Sequence, residues 1–285
     1  MRGFLYAGLG AIALVVCLFF GSPSVYSWGE NADRLIANKA VDTLPEEMLP
    51  FFQANRQFIV QHVTDLQESV PKTINPFEHP RTNDFIQLDH YGPFPFTALP
   101  REYNTAIAKF NRRTLEQYGL LPWQVGFYSK RLTDAFRDHN WNETRLSAAL
   151  LAHYVAATHD PFKTTVNADG KLTGQPGVND RFGTGLVDRY QLFFYVKPDE
   201  AVFIHDPTDH AFESCFTAHS WIESVLLSDR RAHAGLSAYT DEYYDRFYAQ
   251  AGAVLVRQLS DASTDVGSYW MTAWINAGRP QLPAQ

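Results

Sequence analysis

His153 and His159 stand six residues apart on a stretch with helical periodicity, a spacing that puts them on different faces of the helix, so they cannot serve one site from one face. Pro161 ends that helix shortly afterwards. His159 is therefore expected to be structural or to sit at a rim, and the plain reading of His153 is a buried imidazole bonded to a carboxylate. His205 and His210 flank Asp206 and Asp209 in an expected loop, which invites a metal reading, but the spacing fits no tight tetrahedral motif. Cys215 is a nucleophile only if a base lies beside it, and a buried inert thiol is the default. The tyrosines at 239, 243, 244 and 248 recur at helical spacing and suit packing better than a stacking platform for bases. Asn142-Glu143-Thr144 is a glycosylation sequon, silent behind a leader of bacterial type.

That leader occupies residues 1–27: Arg2, an apolar run from Phe4 to Phe20, then Gly21-Ser22-Pro23 and the small residues that suit cleavage before Trp28. The rival reading is an uncleaved anchor, since the run approaches the length of a membrane span. Cleavage implies a secreted or periplasmic protein, and membrane association follows only if the leader is retained. Of 24 basic residues Arg2 leaves with the leader, so 23 face 31 acidic ones, a formal charge of −8. Such a chain is not expected to hold duplex nucleic acid by neutralising phosphates. Cleavage of phosphodiesters is not excluded, because metal ions can neutralise phosphate there. Loss of Cys17 leaves Cys215 alone, so no intrachain disulfide can form.

Charged residues make up 19% of the chain and hydrophobic ones 45%, enough apolar material for a core without staples. The patterning predicts one mainly α domain over 28–285. Helices are expected from Asn31 or Asp33 to about Thr43, from Pro45 onward, and over about 101–118, 122–136, 143–158, 178–190, 241–259 and 263–277. Long loops are expected at 70–100 and 161–175, where Pro, Gly, Asn and Asp gather.

Trp28-Gly29 with Ile36 and Ala40 at helical spacing and Leu44-Pro45 behind them resembles the start of the zinc-dependent phospholipase C and single-strand-specific nuclease superfamily. The resemblance continues through Leu88-Asp89-His90-Tyr91-Gly92, Gly119-Leu120-Leu121-Pro122-Trp123 and His153-Tyr154-Val155, and closes on the segment from Trp270 to Pro280. It implies a mainly helical phospholipase C/nuclease-like fold, secreted, whose site uses a terminal Trp, several His and carboxylates to hold three zinc ions.

Carried over position by position, most ligands are replaced. The first histidine of the family falls on Asp33 and another on Asp84, with Gln87 where an Asp is usual. Asp65 matches a further carboxylate, with Gln67 and Glu68 as competing alignments. On the central helix the family's His, Asp and His become His153, Ala157 and Lys163, and its last His and Glu become Asn179 and Gly183. A protonated lysine has no lone pair and an alanine no donor at all. The resemblance therefore implies a degenerate zinc site and no resident cofactor. The alternative is a single harder cation, calcium, magnesium or manganese, in an oxygen-rich pocket of Trp28, Asp33, Asp65, Asp84 and His153. Two functions follow: a pseudoenzyme that binds an unidentified ligand in the ancestral cleft, or a phosphodiester hydrolase with a rewired metal centre.

Overall fold

A computed structural model describes residues 28–65 and 84–283. The leader and most of the stretch around Gln67 and Glu68 lie outside these residues. Eleven α-helical segments joined by short 3-10 turns make up the described residues, with no β-strand among them. In chain order they are α1 (Glu30–Ala40), α2 (Leu49–His62), α3 (Tyr103–Phe110), α4 (Arg112–Tyr118), α5 (Leu121–Arg137), α6 (Trp141–Thr158), α7 (Val178–Asp180), α8 (Leu186–Tyr190), α9 (Pro207–His219), α10 (Ile222–His233) and α11 (Asp241–Asn276). A π-turn, Arg181–Gly185, joins α7 to α8. The mainly α expectation holds, and one hydrophobic core runs through all the long helices.

The centre of that core is α6. From Ser147 to Thr158 every residue is buried, so this helix has no polar face to give to water and must be surrounded. Its alanines at 148, 149, 152, 156 and 157 let neighbouring backbones approach closely. α5, α2, α1, α9 and α11 pack around it. Asn140 starts the helix by accepting a hydrogen bond from the Glu143 N–H, and the chain leaves it through Asp160-Pro161, where Pro161 cannot continue the ladder.

Several boundaries differ from the sequence expectation for identifiable reasons. α2 opens at Leu49 with Pro50 in its first turn, while Pro45 only accepts turn bonds from Met48 and Leu49. The expected helix 101–118 is two, because Asn111 takes φ 60° and its side chain caps α4 by accepting from the Thr114 N–H. The last two expected helices are one continuous rod of 36 residues, α11, about 54 Å long. Residues 207–233 hold two helices that the pattern hid. Pro207-Thr208-Asp209 reads like a turn, but Asp206 accepts from the Thr208 and Asp209 N–H groups and Pro207 fills the first helical position, the ordinary start of a helix. His210 is therefore on α9, not in a loop.

Between α8 and α9 the chain runs extended along α11. The N–H groups of Lys197, Asp199, Val202 and Ile204 donate to the hydroxyls of Ser260, Thr264, Ser268 and Thr272, at 3.2, 2.9, 3.0 and 2.8 Å. Those hydroxyls are four residues apart and form one stripe on the helix. Ser260, Thr264 and Ser268 each donate their own hydroxyl hydrogen bond to the carbonyl one turn back. Among the described residues no helix is long and apolar enough to cross a membrane.

Candidate functional site

The first turn of α1, the C-terminal half of α6, the turn after α6 and the π-turn meet at one buried place. Trp28 is fully buried, its indole N–H donates to the Ala156 carbonyl at 2.8 Å, and its ring lies 5.9 Å from that of Phe182. One turn into α1, Asp33 faces α6, where His153 Nδ1 lies 2.9 Å from Asp33 Oδ2. With Nδ1–H donating to the carboxylate, the neutral imidazole keeps its lone pair on Nε2. Both side chains are buried, and neither His153 Nε2 nor Asp33 Oδ1 has a hydrogen-bond partner among the described residues. Two orphan polar atoms on one buried, bonded pair need an explanation beyond packing.

The turn after α6 adds a second ion pair. Lys163 is withdrawn from solvent completely, and its ammonium donates to Asp84 Oδ2 at 2.9 Å. Asp84 reaches it because the segment behind it is tied to the same turn: the Ile86 and Leu88 N–H groups donate to the Lys163 and Thr164 carbonyls. Between the two pairs lies Asp160, fully buried, whose carboxylate accepts from the Phe162 N–H. Burial pushes its pKa up to about 6; the Lys163 charge pulls the other way, and the charges of Asp33 and Asp84 push with burial. Tyr154 stacks on Tyr128 with ring centroids 5.1 Å apart, and burial, with Tyr128 and Asp84 adding to it, keeps its phenol well above the ordinary range.

Of the positions singled out in the sequence, Trp28, Asp33, His153 and Ala157 gather at α1 and α6, and Lys163 and Asp84 join them as a bonded pair. Ala157 is buried and offers only a methyl group. Gly183 lies against Trp28: a β-carbon there would come within 3.2 Å of the Trp28 carbonyl oxygen and 3.3 Å of its Cα, so any side chain at this position would press on that backbone. Asn179 is half-buried in the short α7. Asp65 lies 2.8 Å from His62 Nδ1, just past the exposed end of α2. Asp160 was not singled out, because an Asp before a Pro reads as turn punctuation; its signal is its place as the helix-ending residue one turn before Lys163.

The remaining candidates form separate groups. His159 Nε2 and His210 Nε2 both donate to Asp265 Oδ2 at 2.9 Å, joined by Ser214 Oγ at 3.1 Å. Burial works to raise the Asp265 pKa, but the hydrogen bonds and charges of the two imidazoles prevail and hold it well below the ordinary range. His205 is exposed beside Phe203 and takes no part. Cys215 is buried, and burial alone lifts its thiol far above the range where a thiolate forms. Asp89, in the Leu88–Gly92 turn, accepts from Thr165 Oγ1 and the Val166 N–H and lies 3.2 Å from His219 Nε2. Burial opposes these bonds, which nevertheless lower its pKa to about 2. Tyr243 packs in the core and bonds Asp229, which also holds Arg181 at 2.8 Å.

This arrangement of helices is similar to part of two clostridial alpha-toxins. The alpha-toxin of an avian Clostridium perfringens strain superposes with a TM-score of 0.51 over 88% of this chain at 12% identity, and the Clostridium absonum alpha-toxin with 0.51 over 92% at 11%. The chain spans about two thirds of their length, 64% and 67%. At such identity the likeness speaks for the fold, which is mainly helical and phospholipase C-like. No family model matches the sequence, and no characterised protein matches it.

Proposed function

We propose that this chain is a phospholipase C/nuclease-like protein, secreted or periplasmic, that has exchanged the metal-holding part of its cleft for a fixed ion network and now binds rather than cleaves. The observation that carries this reading is Lys163: a wholly buried ammonium bonded to Asp84, at the position where the resemblance asks for a histidine ligand. A three-zinc centre does not fit this donor set. Lys163 repels a cation, Ala157 supplies no bridging oxygen, and Gly183, close against the Trp28 backbone, has no donor side chain. The positive charge that such a cleft needs against Asp33, Asp84 and Asp160 comes from the protein itself.

One feature favours a second reading, a hydrolase with a reduced centre. His153 Nε2 is buried and without a partner among the described residues, and with Asp33 orienting the ring from Nδ1 it could contribute a nitrogen to a single divalent cation. Such a cation would supply a Lewis acid beside a histidine already oriented by its carboxylate. Elemental analysis of the purified protein, followed by hydrolysis of bis-p-nitrophenyl phosphate with and without chelator, separates the two. The binding reading expects no stoichiometric metal and no chelator-sensitive turnover; either result in the positive would overturn it.

A further inference from the structure

Between the chain that follows the Leu88–Gly92 turn and the outer side of α9 lies a cavity of about 370 Å³, with Phe94, Thr97 and Arg101 on one wall and Glu213, Phe216 and Thr217 on the other. Sites for small molecules span about 300–1,000 Å³. None of these residues belongs to the ion network of Asp33, Asp84 and Lys163. Both walls are fixed from behind. The Phe216 ring is buried and lies 5.4 Å from that of Phe96, and the Phe96 N–H donates to the Pro93 carbonyl at 2.8 Å. The Arg101 carbonyl accepts the Trp123 indole N–H at 2.7 Å. The cavity is therefore formed before anything enters it, which spares a ligand the cost of ordering it.

We propose that this cavity binds a small organic ammonium ion with an apolar, ring-bearing tail, its ammonium on Glu213 and its tail between Phe94 and Phe216. The proposal stands whether the ion network binds or cleaves. Three observations select a cation. Arg101 donates to both Asp209 and Glu213, so two carboxylates meet one guanidinium and one negative charge is left over. Glu213 spends only Oε1 on that pair, and Oε2 has no hydrogen bond among the described residues. The rings agree with the charge. A phenyl face is negative and attracts cations, and the Phe216 face already takes one, the Arg101 guanidinium at 5.4 Å from its centroid. Phe94, 62% exposed, meets Phe96 in a T-shaped contact and keeps the rest of its ring for a ligand. The hydroxyls complete the pattern: Ser220 Oγ, also on the cavity wall, gives its proton to the Thr217 carbonyl at 2.6 Å and can only accept from a ligand. An anion would find the Arg101 charge already taken, and a neutral apolar molecule would leave the Glu213 carboxylate without a partner.

The test titrates the full chain with three probes that share one ring and differ in charge: 4-fluorophenethylamine, 2-(4-fluorophenyl)ethanol and 3-(4-fluorophenyl)propanoate, followed by fluorine NMR. The amine is expected to bind at least about fivefold more tightly than the alcohol, the size of one exposed charge contact, and the propanoate most weakly of the three. Glu213→Gln is expected to bring the amine down to the affinity of the alcohol and to leave the alcohol unchanged. Phe94→Ala should weaken both alike. Thr217→Arg, at an exposed position of α9, places a cation in the cavity from the protein itself and should abolish binding of the amine. All three positions are on the surface or at its edge, and unchanged melting temperatures establish that the variants are folded; should Glu213→Gln unfold, Thr217→Arg alone carries the test. Equal affinity for the three probes, preference for the propanoate, or no binding of the amine at millimolar concentration would each overturn the proposal. Binding of the amine that survives both Glu213→Gln and Thr217→Arg would overturn it as well, and would point instead to the carboxylates at Asp33, Asp84 and Asp160.

Discussion

Replacing Lys163 by methionine keeps most of the buried stem and deletes the charge. Asp84, with about a quarter of its side chain in water, then loses its partner, and Asp160, already lifted to about 6, loses the one charge that opposes burial. Removing one member of a buried pair costs about 3–5 kcal/mol, and the partial exposure of Asp84 argues for about 3. In a domain of this size that is a fall of about 6–12 °C in Tm at pH 8. The loss depends on pH in a definite direction. Asp160 has a folded pKa above its unfolded value of 3.8, so its ionisation costs nothing below about 4, costs progressively more as pH rises, and costs its full amount above about 6. Lys163→Met raises that folded pKa further, so the difference from wild type should be larger at pH 8 than at pH 5. Paired thermal melts of the two proteins at those pH values provide the assay. Equal stability at pH 8, or a difference that does not shrink towards pH 5, would refute the ion-network reasoning; adding Asp84→Asn to the variant should recover part of the loss.

Asp160→Asn should stabilise the protein above pH 6 by up to about 3 kcal/mol, the equivalent of its pKa displacement, and should flatten stability between pH 4 and 6 in chemical denaturation. Asp89→Asn should do the reverse: the native carboxylate, held near pKa 2, contributes stability that is complete above about pH 4 and lost as pH falls through 2, so the variant should lose about 1–2 kcal/mol at neutral pH after allowance for its partial exposure and match wild type in strong acid. Gly183→Glu should lower Tm by several degrees without zinc uptake in isothermal titration, because its Cβ meets the Trp28 backbone at 3.2 Å. Ala157→Asp combined with Asp84→His should raise divalent-metal affinity in the same titration while lowering stability in chelator.

Where hydrophobic periodicity was strong the fold was legible: α5 and α6 begin and end within two residues of the expected 122–136 and 143–158. It failed where polar residues serve a helix. Asp206-Pro207 and Asn111 are helix starts that look like turns in isolation, and Ser260 to Ala262 interrupt the apolar pattern of α11 without interrupting its hydrogen bonds. At the site, a carboxylate partner for His153 was expected, and the partner is Asp33 from 120 residues away, a pairing that only α1 packing on α6 creates. Asp65, a carboxylate placed by alignment, pairs with its own neighbour His62 just past the end of α2, a local contact that three-residue spacing makes available. Asp265 could not be read at all, since its two histidines come from α6 and α9 and meet only in three dimensions.

The hydroxyl stripe of α11 meshes two lattices of different pitch. Four helical residues advance about 6 Å, and two extended residues about 6.6 Å, so a strap that bonds every second residue keeps step with a helix that offers every fourth. The strap does so from 197 to 199 and from 202 to 204, and takes one extra residue between, where the Ala201 N–H turns aside to the Thr43 carbonyl. The match works like a vernier scale, with its one extra residue fixed at the Ala201 bond to Thr43 and the two-residue steps on either side held in register. A residue inserted between 202 and 204 would not be absorbed as slack, as in an ordinary surface loop, but would slide the strap out of phase and strand its N–H groups. Length, not composition, is thus the constrained quantity of this connection, and the helix that carries Asp265 is clamped from Ser260 to Thr272 by a segment with no secondary structure of its own.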